Sequence, residues 1–351
     1  MKKAIKIILW IIGILVLLTG LYFLVMTISD YKPKDVVPLK AENQKSNTLS
    51  NNEFTIATFN IGYCGLDDKQ DFFMDGGTMS RSSSKEKTEE NLKGIGNTLK
   101  DLDADFIFVQ EIDKSATRSN YVNEYDYLKT FLDDYSTTYA TNYKVLWVPV
   151  PLSKPMGYVN GGLVTFSKYK ISDAERYQYP GTEKWPRQLA ELDRCFIETK
   201  IPLSSGKTLI LLNSHMSAYD KGGFVRKQQL AFLKTFIETE YEKGNYVIVG
   251  GDFNHQIPGT DAKSFKTEES WPDWLQTIPD DFTPKGFTWG ADKNTPSNRA
   301  VASSYKEGVN FLSIIDGFLV SPNVEIKQVK GYDLKFKNSD HNPVKIWLKL
   351  K

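Results

Sequence analysis

The chain has 351 residues, of which 40% are hydrophobic and 25% charged, and its formal net charge is +1. This composition is that of an ordinary folding chain, and it excludes a low-complexity tail, a collagen-like repeat and a small disulfide-rich module. Residues 1–46 carry seven lysines against three acids, so the net of +1 leaves −3 for the rest of the chain. The average charge therefore indicates no strongly basic groove for nucleic acid.

Residues 7–28 carry no charged side chain, and 22 helical residues are long enough to cross a hydrocarbon core of about 30 Å. Three lysines precede this run, which predicts a cytoplasmic N-terminus and an extracellular remainder. A cleaved signal peptide is the alternative, but the run stays bulky through Met26 and no A-x-A-like site follows it. We therefore expect residues 1–28 to be a single-pass anchor in the cell membrane.

Residues 29–52 are polar, contain two prolines and have neither helical nor strand periodicity, so we expect a flexible linker. Residues 53–351 then form one large domain. Helical spacing occurs at 85–102, 125–132 and 225–241, and strand-like runs occur at 54–60, 105–111, 161–167, 190–201, 208–214, 246–253, 313–321 and 343–350. Strands outnumber helices, which predicts an α/β fold of two packed sheets with helices outside rather than a single doubly wound sheet.

The strand-like runs end repeatedly in an amide, a carboxylate or an imidazole. These end residues are Asn60, Glu111, His215, Asp252 and Asp316. Carboxyl ends of strands are a common place for a ligand site, because the strands hold the side chains and the loops leave room. Each residue alone has a structural explanation, such as closing a turn or lying exposed at a strand end.

The segment 250–254, Gly-Gly-Asp-Phe-Asn, is a sharper signal, because two glycines permit a tight turn that presents a carboxylate and an amide from one corner. A second signal is Ser-Asp-His-Asn-Pro at 339–343. A histidine beside an aspartate can act as a general base if another carboxylate fixes its tautomer, and Asp316 is the candidate for His341. For His255 we expect a surface loop or a supporting position behind the site.

In chain order, Asn60, Gln110-Glu111, His215, Gly251-Asp252-Phe253-Asn254, Asp316 and Ser339-Asp340-His341 resemble the endonuclease/exonuclease/phosphatase superfamily. The resemblance runs over residues 54–350. It implies a four-layer α/β sandwich of two mixed sheets flanked by helices, and hydrolysis of phosphoester bonds with a divalent metal.

The resemblance also implies a metal site. Glu111 resembles the principal metal ligand, with Asn60 beside it and Asp340 near the metal. Carboxylate and amide oxygens without a cysteine cluster suit Mg²⁺ better than zinc, and Mn²⁺ or Ca²⁺ are alternatives to Mg²⁺.

The remaining motif residues resemble the groups that act on phosphate and water. Asp252 and Asn254 resemble the pair that positions the attacking water and the phosphate. His341, held by Asp316, resembles the catalytic base or a phosphate-stabilising imidazole. His215 resembles a second histidine that contacts the phosphate. Whether Asp252 or His341 removes the proton is open at this stage.

Several features bear on the substrate. Arg81 and Arg187 are candidate phosphate partners, and the polar insertion at 62–87 is either a lid over the site or a surface loop. The aromatic residues between 271 and 289 have three alternative roles, which are stacking on bases, contact with a membrane and filling of the core. The sequence has no long hydrophobic hairpin of the kind that membrane-inserting bacterial sphingomyelinases use, which favours a soluble substrate, whereas the anchor holds the domain near lipid head groups.

We therefore expect a membrane-anchored, metal-dependent phosphodiester hydrolase of nuclease-like type. A phosphodiesterase or phosphatase acting on a lipid head group or a sugar phosphate is the alternative, and an inactive binding module is disfavoured because the metal and histidine set is complete. We expect no obligate protein partner, and we expect Cys64 and Cys195 to be free thiols.

Overall fold

The computed structural model describes residues 2–220 and 222–351. Two mixed β-sheets pack face to face, and helices cover their outer faces. The predicted four-layer α/β sandwich is therefore confirmed.

Four α-helices lie close to the predicted positions. Their bounds are Lys2–Ser29 (α1), Lys85–Leu102 (α2), Glu124–Phe131 (α3) and Phe224–Glu242 (α4), and short 3-10 helices occur at Gly62–Cys64, Phe73–Asp75, Arg187–Ala190 and Ala262–Ser264. The start of α2 is fixed by Ser84, whose hydroxyl accepts a hydrogen bond from the Lys87 amide and so satisfies a backbone donor that the first turn leaves free.

The strands are numbered in chain order. Their bounds are Val36–Pro38 (β1), Glu53–Asn60 (β2), Phe106–Asp113 (β3), Ser136–Val148 (β4), Gly157–Ser167 (β5), Asp173–Gln178 (β6), Cys195–Pro202 (β7), Thr208–His215 (β8), Tyr246–Asp252 (β9), His255–Gln256 (β10), Gln276–Thr277 (β11), Thr288–Gly290 (β12), Asn298–Arg299 (β13), Leu312–Ser313 (β14), Asp316–Val320 (β15), Val324–Gly331 (β16) and Val344–Leu350 (β17).

One sheet has seven strands in the order β1-β6-β7-β8-β9-β15-β12, and the other has six in the order β16-β17-β2-β3-β5-β4. Within each sheet one central pair is parallel, β8 with β9 and β2 with β3. The carboxyl ends of a parallel pair lie at the same edge of the sheet. This arrangement brings the polar strand ends of the sequence to one edge of the sandwich.

Three apolar clusters hold the layers together. Phe106 and Phe108 of one sheet pack between the sheets against Ile248 and Phe318 of the other. A second cluster lies between the six-stranded sheet and helices α2 and α3, and a third lies between the seven-stranded sheet and α4. Phe282, Phe287 and Trp289 belong to this third cluster, so three of the aromatic residues at 271–289 fill the core.

Some strands were not evident from the sequence. Strands β4, β6 and β16 are rich in polar and charged residues, and the predicted strand at 313–321 is interrupted between β14 and β15. The polar residues at the start of β4, Ser136, Thr137 and Thr138, are buried, and β6 carries partly exposed polar residues, so neither strand has the apolar alternation that identifies a half-buried strand.

The segment 29–52, expected to be a flexible linker, lies along the domain. Its strand β1 pairs with β6, and Leu49 is buried in the cluster between the sheets. Helix α1 before it is long and apolar enough to cross a membrane, and most of its side chains are exposed. Cys64 and Cys195 are buried free thiols.

Candidate active site

Three polar side chains stand side by side on adjacent strands at one edge of the seven-stranded sheet. His215 ends β8 and is the cross-strand partner of Asp252, which ends β9. Asp252 is in turn the partner of Asp316, which begins β15. The register of three strands therefore places an imidazole and two carboxylates together, although they are far apart in the sequence.

Two glycines allow this close approach. A Cβ atom at Gly250 would lie 2.5 Å from the ring of Phe318, and one at Gly251 would lie 2.0 Å from the carbonyl oxygen of Ser214. Gly251 also has a φ of +138°, which side chains rarely tolerate. The glycine pair is thus required by packing on both sides of β9, and it lets the chain turn into Asp252.

Asp252 is buried and receives several hydrogen bonds. Its Oδ1 accepts from the backbone amide of Asn254 at 2.8 Å, and its Oδ2 accepts from the side-chain amide of Asn60 at 2.9 Å. Asn254 has a φ of +50° and is held in place by its own amide, which donates to the carbonyl of Met216. Burial, and then the charge of Asp316, raise the pKa of Asp252 to about 7.

Glu111 reaches the site from the six-stranded sheet. The pairing of β3 with β5 shifts register between Val109 and Ile112, and Glu111 has a φ of +53° at this irregularity. Such bulges redirect a side chain out of the regular alternation. The Glu111 carboxylate accepts from the Asn60 amide at 3.2 Å, and its other oxygen lies 3.8 Å from the guanidinium of Arg118.

His341 is oriented by hydrogen bonds on both ring nitrogens. Its Nδ1 lies 2.7 Å from Asp316 Oδ2, and its Nε2 lies 3.1 Å from the side-chain amide of Asn298 and 3.9 Å from Asp252. Burial by itself lowers the pKa of His341, but Asp316, Asp340 and Asp252 together raise it to about 10. The Asn298 amide nitrogen can only donate, so the hydrogen bonds describe an imidazole with its proton on Nδ1, facing Asp316, and an acceptor at Nε2.

Asp340 lies against the backbone of Gly62. A Cβ atom at Gly62, whose φ is +50°, would lie 2.7 Å from Asp340 Oδ1, so this contact requires glycine. Burial raises the pKa of Asp340 to about 6, and the Glu111 carboxylate acts in the same direction. A second carboxylate thus belongs to the electrostatic surroundings of Glu111.

His215 is buried and neutral. Its Nε2 lies 3.6 Å from Asp252 Oδ2 and 3.9 Å from Glu111 Oε1, and its Nδ1 has no hydrogen-bond partner within the described residues. Burial, followed by the positive charges of Arg194, His341 and Arg118, lowers its pKa well below the ordinary value. His215 is placed between the two sheets to donate or accept a hydrogen bond, but not to supply charge.

These side chains face one cavity of about 540 Å³. Glu111, His215, Asp252, Asp340 and His341 all line it. The structure therefore brings the predicted residues of both sheets to a common space, the arrangement on which the sequence argument depended.

The donor set fits a hard divalent cation. Glu111 and Asp340 provide carboxylate oxygens at the cavity wall. The Asn60 amide oxygen accepts from the Gly62 backbone amide at 3.0 Å and keeps a second lone pair for a cation. Oxygens of Asp252 and Asp316 and a nitrogen of His341 also lie within 4.8 Å of one another. That trio is better explained as a hydrogen-bonded chain, because Asp316 Oδ2 already bonds His341 Nδ1.

Arg118, which is buried, and Arg194, which is half-buried, are among the arginines of the cavity wall that were not predicted from the sequence. Arg118 binds Asp113 through its Nε and Nη2 atoms and lies 4.2 Å from the ring centre of Tyr63. Arg194 lines the cavity, and its Nη1 has no partner within residues 2–220 and 222–351. Both occur in polar segments without a motif, so only the tertiary structure reveals them.

The two predicted phosphate partners, Arg187 and Arg81, differ in their position relative to the cavity. Arg187 lines the cavity, but it is half-exposed and bonded to Glu191 and to the carbonyl of Tyr219. Arg81 does not line the cavity, and its Nε donates to the carbonyl of Pro155. The guanidinium of Arg81 is held by a backbone carbonyl outside the cavity wall, and its contact with a substrate stays a prediction.

Other expectations are also resolved by position. The insertion at 62–87 contributes Tyr63, Leu66 and residues 72–75 to the cavity lining, so it is a wall of the site. His255 is buried outside this lining, with Nδ1 2.6 Å from the carbonyl of Phe253, so it is not on the surface.

A comparison with family models matches residues 57–341 to the Endonuclease/Exonuclease/phosphatase family. The chain belongs to the endonuclease/exonuclease/phosphatase family. Members of this family are metal-dependent phosphoesterases, so the predicted enzyme class, a metal-dependent phosphoric ester hydrolase, is confirmed.

Solved structures of the endonuclease/exonuclease/phosphatase fold resemble the chain at low identity. An endonuclease/exonuclease/phosphatase from Beutenbergia cavernae DSM 12333 is 14% identical, with a TM-score of 0.59 over 85% of this chain and 72% of that one. D. rerio TDP2 complexed with single strand DNA product is 16% identical (TM-score 0.53; 85% and 99% covered). The human Nocturnin catalytic domain with bound sulfate is 14% identical (TM-score 0.52; 89% and 97% covered). A search of curated proteins finds no match.

Proposed function

We propose that this cavity hydrolyses phosphodiester bonds, with Glu111, Asp340 and Asn60 holding a divalent cation, Mg²⁺ by preference. The observation that carries the proposal is the meeting of Asp252 and His341 with Glu111 at one cavity. A hard cation bound there would neutralise phosphate oxygens and stabilise the charge that develops during hydrolysis.

Asp252 is the proposed general base. Burial and the charge of Asp316 raise the pKa of Asp252 to about 7, so this carboxylate can hold or accept a proton at neutral pH. Asn60 and Asn254 donate hydrogen bonds to Asp252 and hold its carboxylate in one orientation. The proposal therefore assigns the role of base to Asp252, one of the two candidates that the sequence left open.

The remaining residues bind and orient the phosphate. His341 presents its Nε2 edge 3.9 Å from Asp252, and neutral His215 faces the same carboxylate from the neighbouring strand. The water oxygen bonds to phosphorus as the bond to the leaving oxygen breaks, Asp252 takes one water proton, and the leaving oxygen takes a proton from solvent. The products are a phosphomonoester and an alcohol.

We also propose that α1 anchors the domain, with the N-terminus in the cytoplasm and the domain outside the cell. The length and apolar character of α1, and the lysines at its start, support this orientation. Fusing a reporter that is active only in the cytoplasm to either end of the chain tests it, because only the N-terminal fusion should give signal.

The test of the reaction uses the full chain in detergent with bis(4-nitrophenyl) phosphate. We expect hydrolysis with Mg²⁺ or Mn²⁺, arrest by a chelator, and a loss of about a hundredfold or more in His341→Ala. The matched control is His255→Ala, which removes a buried histidine outside the cavity and should keep turnover within about threefold if the variant folds. Full activity in His341→Ala would remove His341 from the mechanism.

A further inference from the structure

The last turns of α1 form part of the active-site structure. Met26 is buried in one apolar cluster with Tyr63 and Tyr143, and both tyrosines line the cavity. Residues 30–32, which follow the helix directly, also line the cavity. The proposed anchor is therefore not a remote attachment, because its outer end lies against the wall of the catalytic cavity.

An exposed apolar surface lies at the same place. We call it the apolar rim, and it consists of Met74, Leu146, Trp147, Val150, Leu152 and Trp185. Leu152 is 87% exposed and Trp185 is 57% exposed. Met74 and Val150 of the rim also line the cavity, so the rim borders its mouth.

The apolar rim contacts α1 directly. The Phe23 and Trp185 rings are 5.4 Å apart, and the indole N–H of Trp185 donates to the Thr27 hydroxyl at 3.3 Å. The Tyr22 hydroxyl donates to the carbonyl of Trp147 at 3.2 Å. The depth of Trp147 and Trp185 relative to a bilayer therefore follows from the depth of residues 22–27.

The length of α1 sets that depth. About 20 helical residues cross the hydrocarbon core, and counting from Ile7, the first residue after the lysines, reaches Met26. Residues 22–27 then lie at the outer boundary of the hydrocarbon, and Trp147 and Trp185 lie at head-group depth. Tryptophan is enriched at this level, because its ring is apolar and its N–H is polar.

A nucleic-acid substrate fits these features less well. The chain beyond residue 46 has a net charge of −3, and the exposed residues that line the cavity include apolar Met74 and Val150 beside basic Lys32 and Arg187. A nuclease-like reaction is the expectation from the sequence, whereas the position of the rim favours a lipid substrate. Exposed apolar side chains beside a cavity mark an interaction site, and the contacts of Trp147 and Trp185 with a membrane-length helix indicate which one.

We propose that the apolar rim docks on the outer membrane surface, so that the cavity takes the phosphoester of a lipid head group presented by the bilayer. This inference rests on the proposed phosphodiester hydrolysis at the same cavity. A head group entering from the membrane side would pass Met74 and Val150 and meet Glu111, Asp252 and His341 behind them.

The docking is tested by depth measurement on the full chain in phosphatidylcholine vesicles containing a minority of phosphatidylglycerol. A spin label is placed at Trp185→Cys and, as the matched control, at Trp347→Cys; Cys64 and Cys195 are buried. Trp347 is a half-buried aromatic residue of β17. Its cross-strand partner on β2 is Thr55, which lies five residues before Asn60. We expect collisions with oxygen to exceed those with a water-soluble nickel chelate at position 185 and the reverse at 347. Equal aqueous exposure at both positions would overturn the docking.

The substrate class is tested with the same preparation. Vesicles carrying phosphatidylcholine, phosphatidylethanolamine, phosphatidylglycerol, sphingomyelin or phosphatidylinositol phosphates are compared with bis(4-nitrophenyl) phosphate and with DNA and RNA oligonucleotides. In the double variant Trp185→Ser/Leu152→Ser we expect the ratio of lipid to soluble-diester turnover to fall about tenfold or more, and in Trp347→Ser to stay constant.

The outcomes separate the two proposals. Hydrolysis of the soluble diester without hydrolysis of any vesicle lipid, or faster hydrolysis of oligonucleotides than of lipids, overturns the lipid inference and leaves the proposed reaction standing. No hydrolysis of the soluble diester with Mg²⁺ or Mn²⁺ overturns the proposed reaction itself.

Discussion

The imidazole of His341 and the carboxylate of Asp316 are joined by a 2.7 Å hydrogen bond, and the strand that carries Asp316 pairs with the one that carries Asp252. One backbone pairing therefore fixes both the proposed base and the carboxylate that orients the imidazole. Asp316 is a positioning residue, since it acts on the site through His341 rather than on the phosphate.

Replacing Asp316 with Asn tests this relationship. The substitution keeps the shape of the side chain but removes its charge, so we expect the pKa of His341 to fall and turnover of a soluble diester to fall about tenfold to a hundredfold. Because the chain has only three histidines, NMR titration of their ring protons can follow His341 directly. The exposed Asp280→Asn variant is the control. An unchanged His341 titration in Asp316→Asn would contradict the assigned role.

The proposed metal site predicts that a ligand substitution weakens cation binding, an effect that can be measured without turnover. In Glu111→Gln the cation loses a charged ligand, and we expect Mn²⁺ affinity, measured by calorimetry on the full chain in detergent, to weaken about tenfold or more. Glu307→Gln removes an exposed acid elsewhere and should leave the affinity unchanged. Equal Mn²⁺ affinity in the two variants would exclude Glu111 as a ligand.

The elements that were predictable from the sequence are those whose signal is local. Helix α2 has the predicted bounds because its apolar spacing and its Ser84 cap both lie within the segment. The strand ends that carry Asn60 and His215 were predictable because each follows a largely apolar run, whereas Glu111 lies at a bulge within β3, which continues to Asp113. Local pattern therefore predicted most of the fold, and the roles of the site residues stay predictions.

The features that were not predictable depend on partners distant in the sequence. Strand β4 has little apolar alternation and forms only by pairing with β5 at the sheet edge. Arg118 enters the cavity wall because Asp113 and Tyr63 hold it there. The apolar rim combines residues from three separate segments, and it is recognised as a surface beside the proposed anchor only through their contacts with α1.

The burial of Glu198 predicts that the free energy of unfolding depends on pH. It lies on β7, where burial raises its pKa to about 7 even though Lys200 opposes the shift. An acid whose pKa is higher in the folded state than in the unfolded state, about 4.3, stabilises the fold less as pH rises through that window. We expect Glu198→Gln to gain about 1 to 2 kcal/mol of unfolding free energy over wild type between pH 5 and pH 8.

Denaturant unfolding of both proteins at the two pH values measures this difference. The exposed Glu242→Gln variant is the control, and its stability should follow wild type at both pH values. A difference between Glu198→Gln and wild type that is independent of pH would show that Glu198 does not change its protonation on folding within this range.

The backbone at Gly251 predicts a loss of stability that composition alone does not explain. In Gly251→Ala the new Cβ would lie 2.0 Å from the carbonyl oxygen of Ser214 on the paired strand, so β8 and β9 must separate. Gly206→Ala is the matched comparison, because Gly206 also has a positive φ but nothing lies within 4 Å of its Cβ position. We expect Gly206→Ala to cost about 1 kcal/mol and Gly251→Ala at least about 3 kcal/mol, with turnover reduced because Asp252 moves with the strand. Equal losses in the two variants would mean that the backbone conformation, and not the contact between strands, is the reason for glycine before the catalytic carboxylate.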